Sequence, residues 1–411
     1  MKIQTALARA MPAMTERNFR LFVYGQFISF AGTWLQTAAE GWLVYDLTHS
    51  AAWVAGVASL MFIPSIVLAP FGGIIVDRFD KRNVLYVTNI LGMLQAFALG
   101  TLTLTGHITA PIIAILAFVL GITTAIDAPA RRTLINEIVA TKEHIGSASA
   151  LNASLITLGQ MIGPALAGLL IPLIGSGWTF IVNGVTFLAV VVTMWNMLFI
   201  PTEPVQQEHP LTMIKAAFIY AFSDKFIRFR LFLIIFLSTF AFSYRSILPV
   251  ITDQVFHQGP RIFGMFSAAV GCGAFVGSVV VSLFARKLPF RNFLVIGSSV
   301  NGISLFFFGR APGIGLAALL LFLTGFGFTL SFVTTRATLQ QLLKEQRPLM
   351  TGRVLSIDYM FFFTGIAFGN MIVGQIAGRF GSPAAVTSCS LIMCAASIFF
   401  LFSWNRIRSH D

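Results

Sequence analysis

The sequence is poor in charged residues and in the residues that build nucleotide, metal or disulfide sites. Charged side chains make up 10% of its 411 residues, and it holds 3 cysteines and 6 histidines. No Gly-Lys pair occurs, which excludes the phosphate-binding loop of P-loop ATPases. The cysteines lie in apolar runs and the histidines lack metal-ligand spacing. We therefore expect no bound metal, no cofactor and no disulfide framework.

What the sequence has in abundance is apolar residues, at 56% of the chain. They form runs of about 20 residues, which as helices cross a hydrocarbon core about 30 Å thick. No run shows the alternation of a membrane β-barrel strand. We predict an all-α membrane protein with twelve transmembrane helices. The predicted spans are 20–45, 52–76, 84–105, 111–127, 147–172, 178–200, 229–253, 262–285, 293–310, 313–335, 354–378 and 384–404.

The basic residues predict the orientation of these spans. All of the 27 Lys and Arg except Arg245, Arg261, Arg310 and Arg379 fall at the termini or in the connections after even-numbered spans. The positive-inside rule then places both termini in the cytoplasm. The net charge of +12 reports this topology, so we expect the lipid bilayer, and no nucleic acid, as the surrounding partner.

An internal repeat divides the chain. The motif FRLF at 19–22 recurs at 229–232, and the series Arg131, Gly146, Gly163, Gly168, Gly175 matches Arg336, Gly352, Gly369, Gly374, Gly381 with one inserted residue. We predict an N-terminal six-helix half (1–200), a cytoplasmic linker with an amphipathic helix (201–228) and a C-terminal six-helix half (229–411). Repeated halves of the same topology are a plan of secondary transporters, with the substrate site near the midplane between them.

Two motifs resemble the major facilitator superfamily, whose twelve-helix plan fits the whole chain. GGIIVDRFDKRN (72–83) resembles its motif A, which implies that Asp77 holds a cytoplasmic gate shut near the start of span 11. GQMIGPALAG (159–168) resembles the antiporter motif of its exporters and so favours export, with ordinary small-residue packing as the alternative. The helix-packing residues of this motif are Gly159, Gly163, Pro164 and Gly168. The predicted gate comprises Asp77, Arg78, Arg82, Asp127, Arg131, Arg132, Arg336, Arg353 and Asp358, with plain interfacial charge as the alternative.

Two further segments narrow the resemblance. GTWLQTAAEGWLVYDLTHS (32–50) and DAPARRTLINEIV (127–139) are similar to the branch of siderophore exporters of the enterobactin type and macrolide efflux proteins. The drug–proton antiporters of the superfamily carry an arginine inside span 4, and residues 112–126 hold none. The proton relay of those antiporters therefore does not carry over.

Polar residues inside the spans are the candidates for a substrate or proton pathway, because they are costly when they face lipid. Span 1 carries a stripe at helical spacing and span 5 a weaker one, while Arg245 lies roughly 20 Å into span 7 at about 1.5 Å per residue. Glu40 is either an interfacial carboxylate or a cavity group that exchanges protons or contacts a cationic or hydrogen-bonding substrate, and whether it meets Arg245 stays open. The predicted pathway residues are Gln26, Ser29, Thr33, Gln36, Glu40, Asn152, Thr157, Gln160, Arg245, Phe240 and Phe363.

Together these features predict a proton-coupled exporter of a small amphipathic organic compound, siderophore-like or drug-like, that works by alternating access. We expect a monomer in a bacterial inner membrane, driven by the proton gradient and without enzymatic activity. The alternatives are an importer or facilitator of similar compounds and, more distantly, a membrane-embedded enzyme or a lipid-handling scaffold.

Overall fold

The computed structural model describes residues 11–197, 210–284, 288–346 and 350–407, without the side chains of 72–78, 142, 210, 211, 213, 346 and 403–407. All regular secondary structure in these ranges is helical. The helices are α1 (Arg17–Thr48), α2 (Ala51–Arg78), α3 (Lys81–Leu104), α4 (Ala110–Ile138), α5 (145–174), α6 (176–195), α7 (Pro210–Ser223), α8 (Lys225–Gln254), α9 (Pro260–Phe284), α10 (Phe290–Phe308), α11 (Ile314–Gln346), α12 (Thr351–Phe380) and α13 (Ser382–Ile407).

Helices α1 to α6 and α8 to α13 correspond to the twelve predicted spans. Helices α5 and α6 form one continuous segment, Ile145–Trp195, broken by non-helical backbone at Gly175 (φ 79°). Its counterpart in the repeat, Gly381 (φ 87°), separates α12 from α13. A positive φ favours glycine, so the repeated glycine marks the same turn in each half. By length and composition alone, nine of the described helical segments qualify as membrane-spanning, among them the continuous one, and the two of the twelve span helices outside this set are α1 and α10, which carry more polar residues.

Two pairs of long helices join the halves. Helix α2 packs along α12, and α5 packs along α9. Gly168 of α5 and Gly264 of α9 allow the closest approach, because a Cβ on Gly264 would lie 2.8 Å from the carbonyl oxygen of Pro164. These contacts flank a central path between the halves.

The two ends of the bundle differ. We call the end that carries the start of α1 and the α2–α3 and α4–α5 connections the basic end, and the other the opposite end. Contacts between the halves close the opposite end: the Tyr45 hydroxyl donates to Asp253 Oδ2 at 2.6 Å, and the rings of Trp42 and Phe263 lie 5.8 Å apart. Amphipathic helix α7 packs at the basic end against α2, α8 and α12.

Helix α8 is irregular in its middle. Residues Ser238–Phe242 form a π-helical turn and Ser243–Ile247 a tighter 3-10 turn. The Ser243 hydroxyl donates to the carbonyl oxygen of Ser238 at 3.0 Å, and that of Thr239 to the carbonyl oxygen of Gly365 on α12 at 3.2 Å. Such single π turns often occur at functional sites. This one directly precedes the 3-10 turn that contains Arg245.

Candidate functional site

A central cavity lies between the halves, on the basic side of the contacts that close the opposite end. Its empty volume is about 950 Å³, its open part included. Helices α1, α2 and α5 of the N-terminal half line it together with α8, α9 and α12 of the C-terminal half. Most of the lining is apolar or aromatic, including Trp34, Met61, Phe62, Phe242 and Phe263. Such a surface suits a ligand with an apolar body.

Glu40 and Arg245 are the two residues with ionisable side chains that line this cavity. Glu40 is 5% exposed and lies close to the side chain of Gln36. Arg245 is half-buried and holds its guanidinium carbon 4.7 Å from the centre of the Phe242 ring. The two charged groups share the cavity without forming an ion pair within 4.0 Å. A guanidinium has five N–H donors, so Arg245 keeps donors available for a ligand.

Gln36 lies behind Glu40 in a network of amides and is fully buried. Its Nε2 donates to Gln95 Oε1 at 2.9 Å, and its Oε1 accepts from Asn183 Nδ2 at 2.7 Å. Gln95 in turn donates to the carbonyl oxygen of Leu116 at 3.2 Å. These bonds fix the orientation of the Gln36 amide and leave its second N–H for Glu40. Gln36 therefore supports Glu40 from behind the cavity wall.

Gln26, Ser29 and Thr33 of the α1 stripe line a different pocket, with an empty volume of about 440 Å³ inside the N-terminal half. The Asp127–Arg131 ion pair, 2.5 Å between Oδ2 and Nη2, lies in this pocket. Thr88 and Asn89 donate to Asp127 Oδ1 at 3.1 and 3.2 Å. Its other polar lining residues include Gln26, which accepts from Arg131 at 3.2 Å, Ser29, Thr33, Thr123 and Thr124. The predicted stripe thus serves two pockets, with the Gln36 network between them.

The predicted gate residues fall into three groups. Arg336 of α11 and Asp358 of α12 form an ion pair at 2.5 Å, as Asp127 and Arg131 do. Arg132 of α4 stacks on Tyr359 of α12, at 4.0 Å to the ring centre, and so contacts the other half. Of the rest, Arg82 contacts Tyr86 of its own helix and Arg353 contacts Met350, while the side chains of Asp77 and Arg78 lie outside the described residues.

The glycines of the α5 motif face two partners. Gly159 and Gly163 pack against α1, where a Cβ on Gly163 would lie 2.6 Å from the Trp34 Cβ. Gly168 packs against α9 of the other half, one turn beyond Pro164, whose side chain lines the cavity. This motif thus positions both the α1 stripe and the contact between the halves.

The other predicted pathway residues are scattered. Gln160 lines the central cavity, and Phe363 stacks on Phe62 with ring centres 5.6 Å apart. Asn152 is buried, with no partner for its Oδ1 in the described structure, and the Thr157 hydroxyl bonds back to Ala153 of its own helix. Phe240 packs on Phe236, away from the cavity. These side chains do not form one site.

The sequence analysis missed residues whose role depends on the partner half. Tyr45, Asp253 and the aromatic lining from α2 and α9 carry no period or motif that distinguishes them from ordinary membrane residues. The amide partners Gln95 and Asn183 could have been found in the sequence, because polar amides inside apolar spans are costly unless they are paired. In the described residues, no group of three His, Cys, Asp or Glu side chains has the spacing to hold a metal ion.

Comparison of the fold with solved structures defines the class. The nucleoside transporter NupG matches with a TM-score of 0.72 at 13% identity over 96% of this chain and all of that one. The D-xylose-proton symporter matches with a TM-score of 0.70 at 15% identity over 93% and 97%. The fold is that of the major facilitator superfamily of membrane transporters.

The chain belongs to the family described as transmembrane secretion effectors, whose profile matches residues 8–411. Among its relatives are the staphyloferrin A transporter of Staphylococcus aureus, 24% identical over 95% of this chain and 97% of that protein, and the enterobactin exporter EntS of Citrobacter koseri, 25% identical over 92% and 89%. It is therefore a multi-pass membrane transporter related to siderophore transporters.

Proposed function

We propose that the protein is a proton-coupled exporter of a small amphipathic organic anion of the siderophore type, with its basic end in the cytoplasm. The observation that carries the proposal is the central cavity, in which Arg245 keeps free donors and Glu40 lies apart from it without an ion pair. A guanidinium in a largely apolar cavity requires a balancing anion, and an anionic substrate supplies it.

Glu40 has the properties that proton coupling needs. It is a titratable carboxyl group in the cavity lining, 5% exposed and close to the side chain of Gln36. Release of the substrate toward the opposite end would give the carboxylate access to protons, and opening of the basic end would release them inward. The contacts that Tyr45 makes with Asp253, and Trp42 with Phe263, must break in that cycle.

The names of the relatives supply the first substrates to test. Enterobactin and staphyloferrin A, radiolabelled, are offered to inside-out and right-side-out membrane vesicles with and without a pH gradient. We expect accumulation in inside-out vesicles that are acidic inside, and loss of that accumulation when the gradient is collapsed. Accumulation in right-side-out vesicles would instead identify an importer, and transport that is indifferent to the gradient would refute proton coupling.

Variants of the two cavity residues separate binding from coupling. Arg245→Ala is expected to weaken binding of an anionic substrate by tenfold or more, since a hydrogen bond to a charged group contributes about 1.5–3 kcal/mol. Arg245→Lys keeps the charge but lacks the planar fork. Its affinity for the substrate should therefore lie between those of the wild type and Arg245→Ala. Glu40→Gln should leave equilibrium binding intact and flatten the pH dependence of transport. Wild-type binding and pH profiles in these variants would refute both roles.

A further inference from the structure

Two arginines from different halves meet on one tyrosine at the basic end. The guanidinium carbon of Arg132, on α4, lies 4.0 Å from the centre of the Tyr359 ring on α12, and that of Arg336, on α11, lies 4.4 Å from the same centre. Arg132 is exposed and Tyr359 is half-buried. The three side chains thus stand where the path between the halves reaches the basic end.

The charges of this cluster do not balance. Asp127 pairs with Arg131 and Asp358 pairs with Arg336, whereas Arg132 has no carboxylate within ion-pair distance in the described residues. Arg336 also has a buried Nε without a hydrogen-bond partner there. Two guanidinium groups on one ring repel each other, and an anion between or beside them would remove that cost.

A continuous series of aromatic contacts runs from this cluster to the central cavity. The rings of Tyr359 and Phe363 are 6.2 Å apart at their centres, those of Phe363 and Phe362 are 5.3 Å apart, and those of Phe362 and Phe242 are 6.1 Å apart. Phe242 is the ring on which Arg245 stacks. All four rings are half-buried, so each keeps an accessible face or edge. A guanidinium stacked on an aromatic ring therefore lies at each end of the series.

We propose that Arg132, Arg336 and Tyr359 form a second binding station, which receives an organic anion with a flat aryl body before it moves along the aromatic series to Arg245. The inference rests on the proposed function and adds to it the entry site and the aryl character of the substrate. The guanidinium groups bind the carboxylate or phenolate oxygens, and the rings offer stacking partners to the aryl body. Along α12, Tyr359 lies seven residues from Ile366 of the cavity lining, or about 10 Å, which separates the two stations.

The test is the number of binding sites for 4-fluorophthalate, a rigid aryl dianion, measured by fluorine NMR and equilibrium dialysis with the full chain in phosphatidylcholine nanodiscs. We expect two sites in the wild type and one in each of Arg132→Gln and Arg245→Gln. Arg132→Lys should retain a site at least tenfold weaker, because the ammonium lacks the planar fork. Arg20→Gln changes an exposed arginine of the same end that bonds to the carbonyl oxygens of Met14 and Thr15, and it should keep both sites.

Competing ligands test the chemistry of the station. cis-Cyclohexane-1,2-dicarboxylate has the same charges without the aryl ring and should compete at least tenfold more weakly than phthalate. Two sites in Arg132→Gln, or a slower transport rate in that variant with unchanged binding, would overturn the proposal and leave Arg132 as a gate contact. One wild-type site that only Arg245→Gln removes would overturn the second station and leave the proposed function standing. Displacement of the probe from the Arg132 site by phosphatidylglycerol would assign that site to lipid headgroups and overturn its role for substrate.

Discussion

Arg131 and Arg336 occupy equivalent positions in the two halves, but the carboxylates that pair with them do not. In the N-terminal half Asp127 lies one turn before Arg131 on the same helix. In the C-terminal half Arg336 of α11 is paired across to Asp358 of α12. By the alignment of the repeat, the position of Asp127 is taken by Phe332 and that of Asp358 by Asn152. The repeat has therefore kept the arginine and moved the carboxylate to the neighbouring helix.

This move changes what each pair can do. Asp127 is fully hydrogen-bonded by Thr88, Asn89 and Arg131, all within one half, so the pair supports that half as a unit. Asp358 has a buried Oδ1 without a partner in the described structure, and Arg336 touches the ring of Tyr359, which also carries Arg132 of the other half. The C-terminal pair thus lies where the halves meet and separate during transport. The contacts of this pair therefore have to change as the halves move.

The largest expected effect is on stability when the C-terminal pair loses its carboxylate. Asp358 is 1% exposed and Arg336 20%, so Asp358→Asn leaves a buried guanidinium without its counter-charge, at a cost of about 3–5 kcal/mol. Asp127→Asn should cost less, about 2 kcal/mol, because Asp127 is 17% exposed, Arg131 keeps its hydrogen bond to Gln26, and the new amide oxygen still accepts from Thr88 and Asn89. Thermal unfolding midpoints of the detergent-solubilised proteins measure both. Equal losses would show that the two pairs are equivalent after all.

The sequence predicted the helices well, because these depend on local properties. Runs of apolar residues give the spans, and Gly175 and Gly381 mark the same turn in each half through their backbone conformation. It also predicted the stripe on α1, since polar residues at helical spacing must avoid lipid.

The sequence did not predict which network or cavity each of those polar residues belongs to. The period shows that Gln36 and Glu40 share a face, but neighbouring helices place Gln36 in a buried amide network and Glu40 in the cavity. The π and 3-10 turns of α8 shift the helical phase before Arg245, so spacing alone could not assign its neighbours. Contacts between the halves, such as Tyr45 with Asp253, have no sequence period at all.

A smaller effect is expected when the carboxylate of the N-terminal half is moved from position 127 to position 152. Asn152 of α5 occupies the repeat position of Asp358, is buried, and leaves its Oδ1 without a partner in the described residues. On the background of Asp127→Asn, the further change Asn152→Asp should rebuild the C-terminal arrangement and recover about 1 kcal/mol of stability. In the wild-type background the same change should destabilise, because Arg131 already has its carboxylate. A double-mutant cycle with no coupling between the two positions would contradict the structural equivalence of the halves.

The smallest expected effect concerns the acidic residue that precedes the first membrane-spanning helix of each half, Glu16 before α1 and Asp224 before α8. Asp224 caps its own helix, α8, by accepting from the backbone N–H groups of Phe226 and Ile227 at 2.8 and 3.0 Å. Glu16, at the start of α1, instead accepts from the backbone N–H groups of Ala140 and Thr141 at 2.6 and 3.4 Å and contacts His144 Nδ1 at 3.0 Å. It therefore ties the beginning of the chain to the connection between α4 and α5.

The pH dependence of this tie follows from the pKa of Glu16. Burial raises that pKa, but the hydrogen bonds from Ala140, His144 and Thr141 outweigh burial and hold it below the ordinary value of 4.5. A carboxylate whose pKa is lowered in the folded state stabilises that state above the unfolded pKa, and loses this contribution as the pH falls through the folded pKa.

Glu16→Gln should therefore unfold at a slightly lower temperature than the wild type at pH 7, and the difference should close as the pH falls below about 4.5. Asp224→Asn is the matched control and should stay near wild-type stability at pH 7, because asparagine caps a helix about as well as aspartate. A difference between Glu16→Gln and the wild type that persists unchanged into acid would mean that the shape of the side chain, and not its charge, holds the connection.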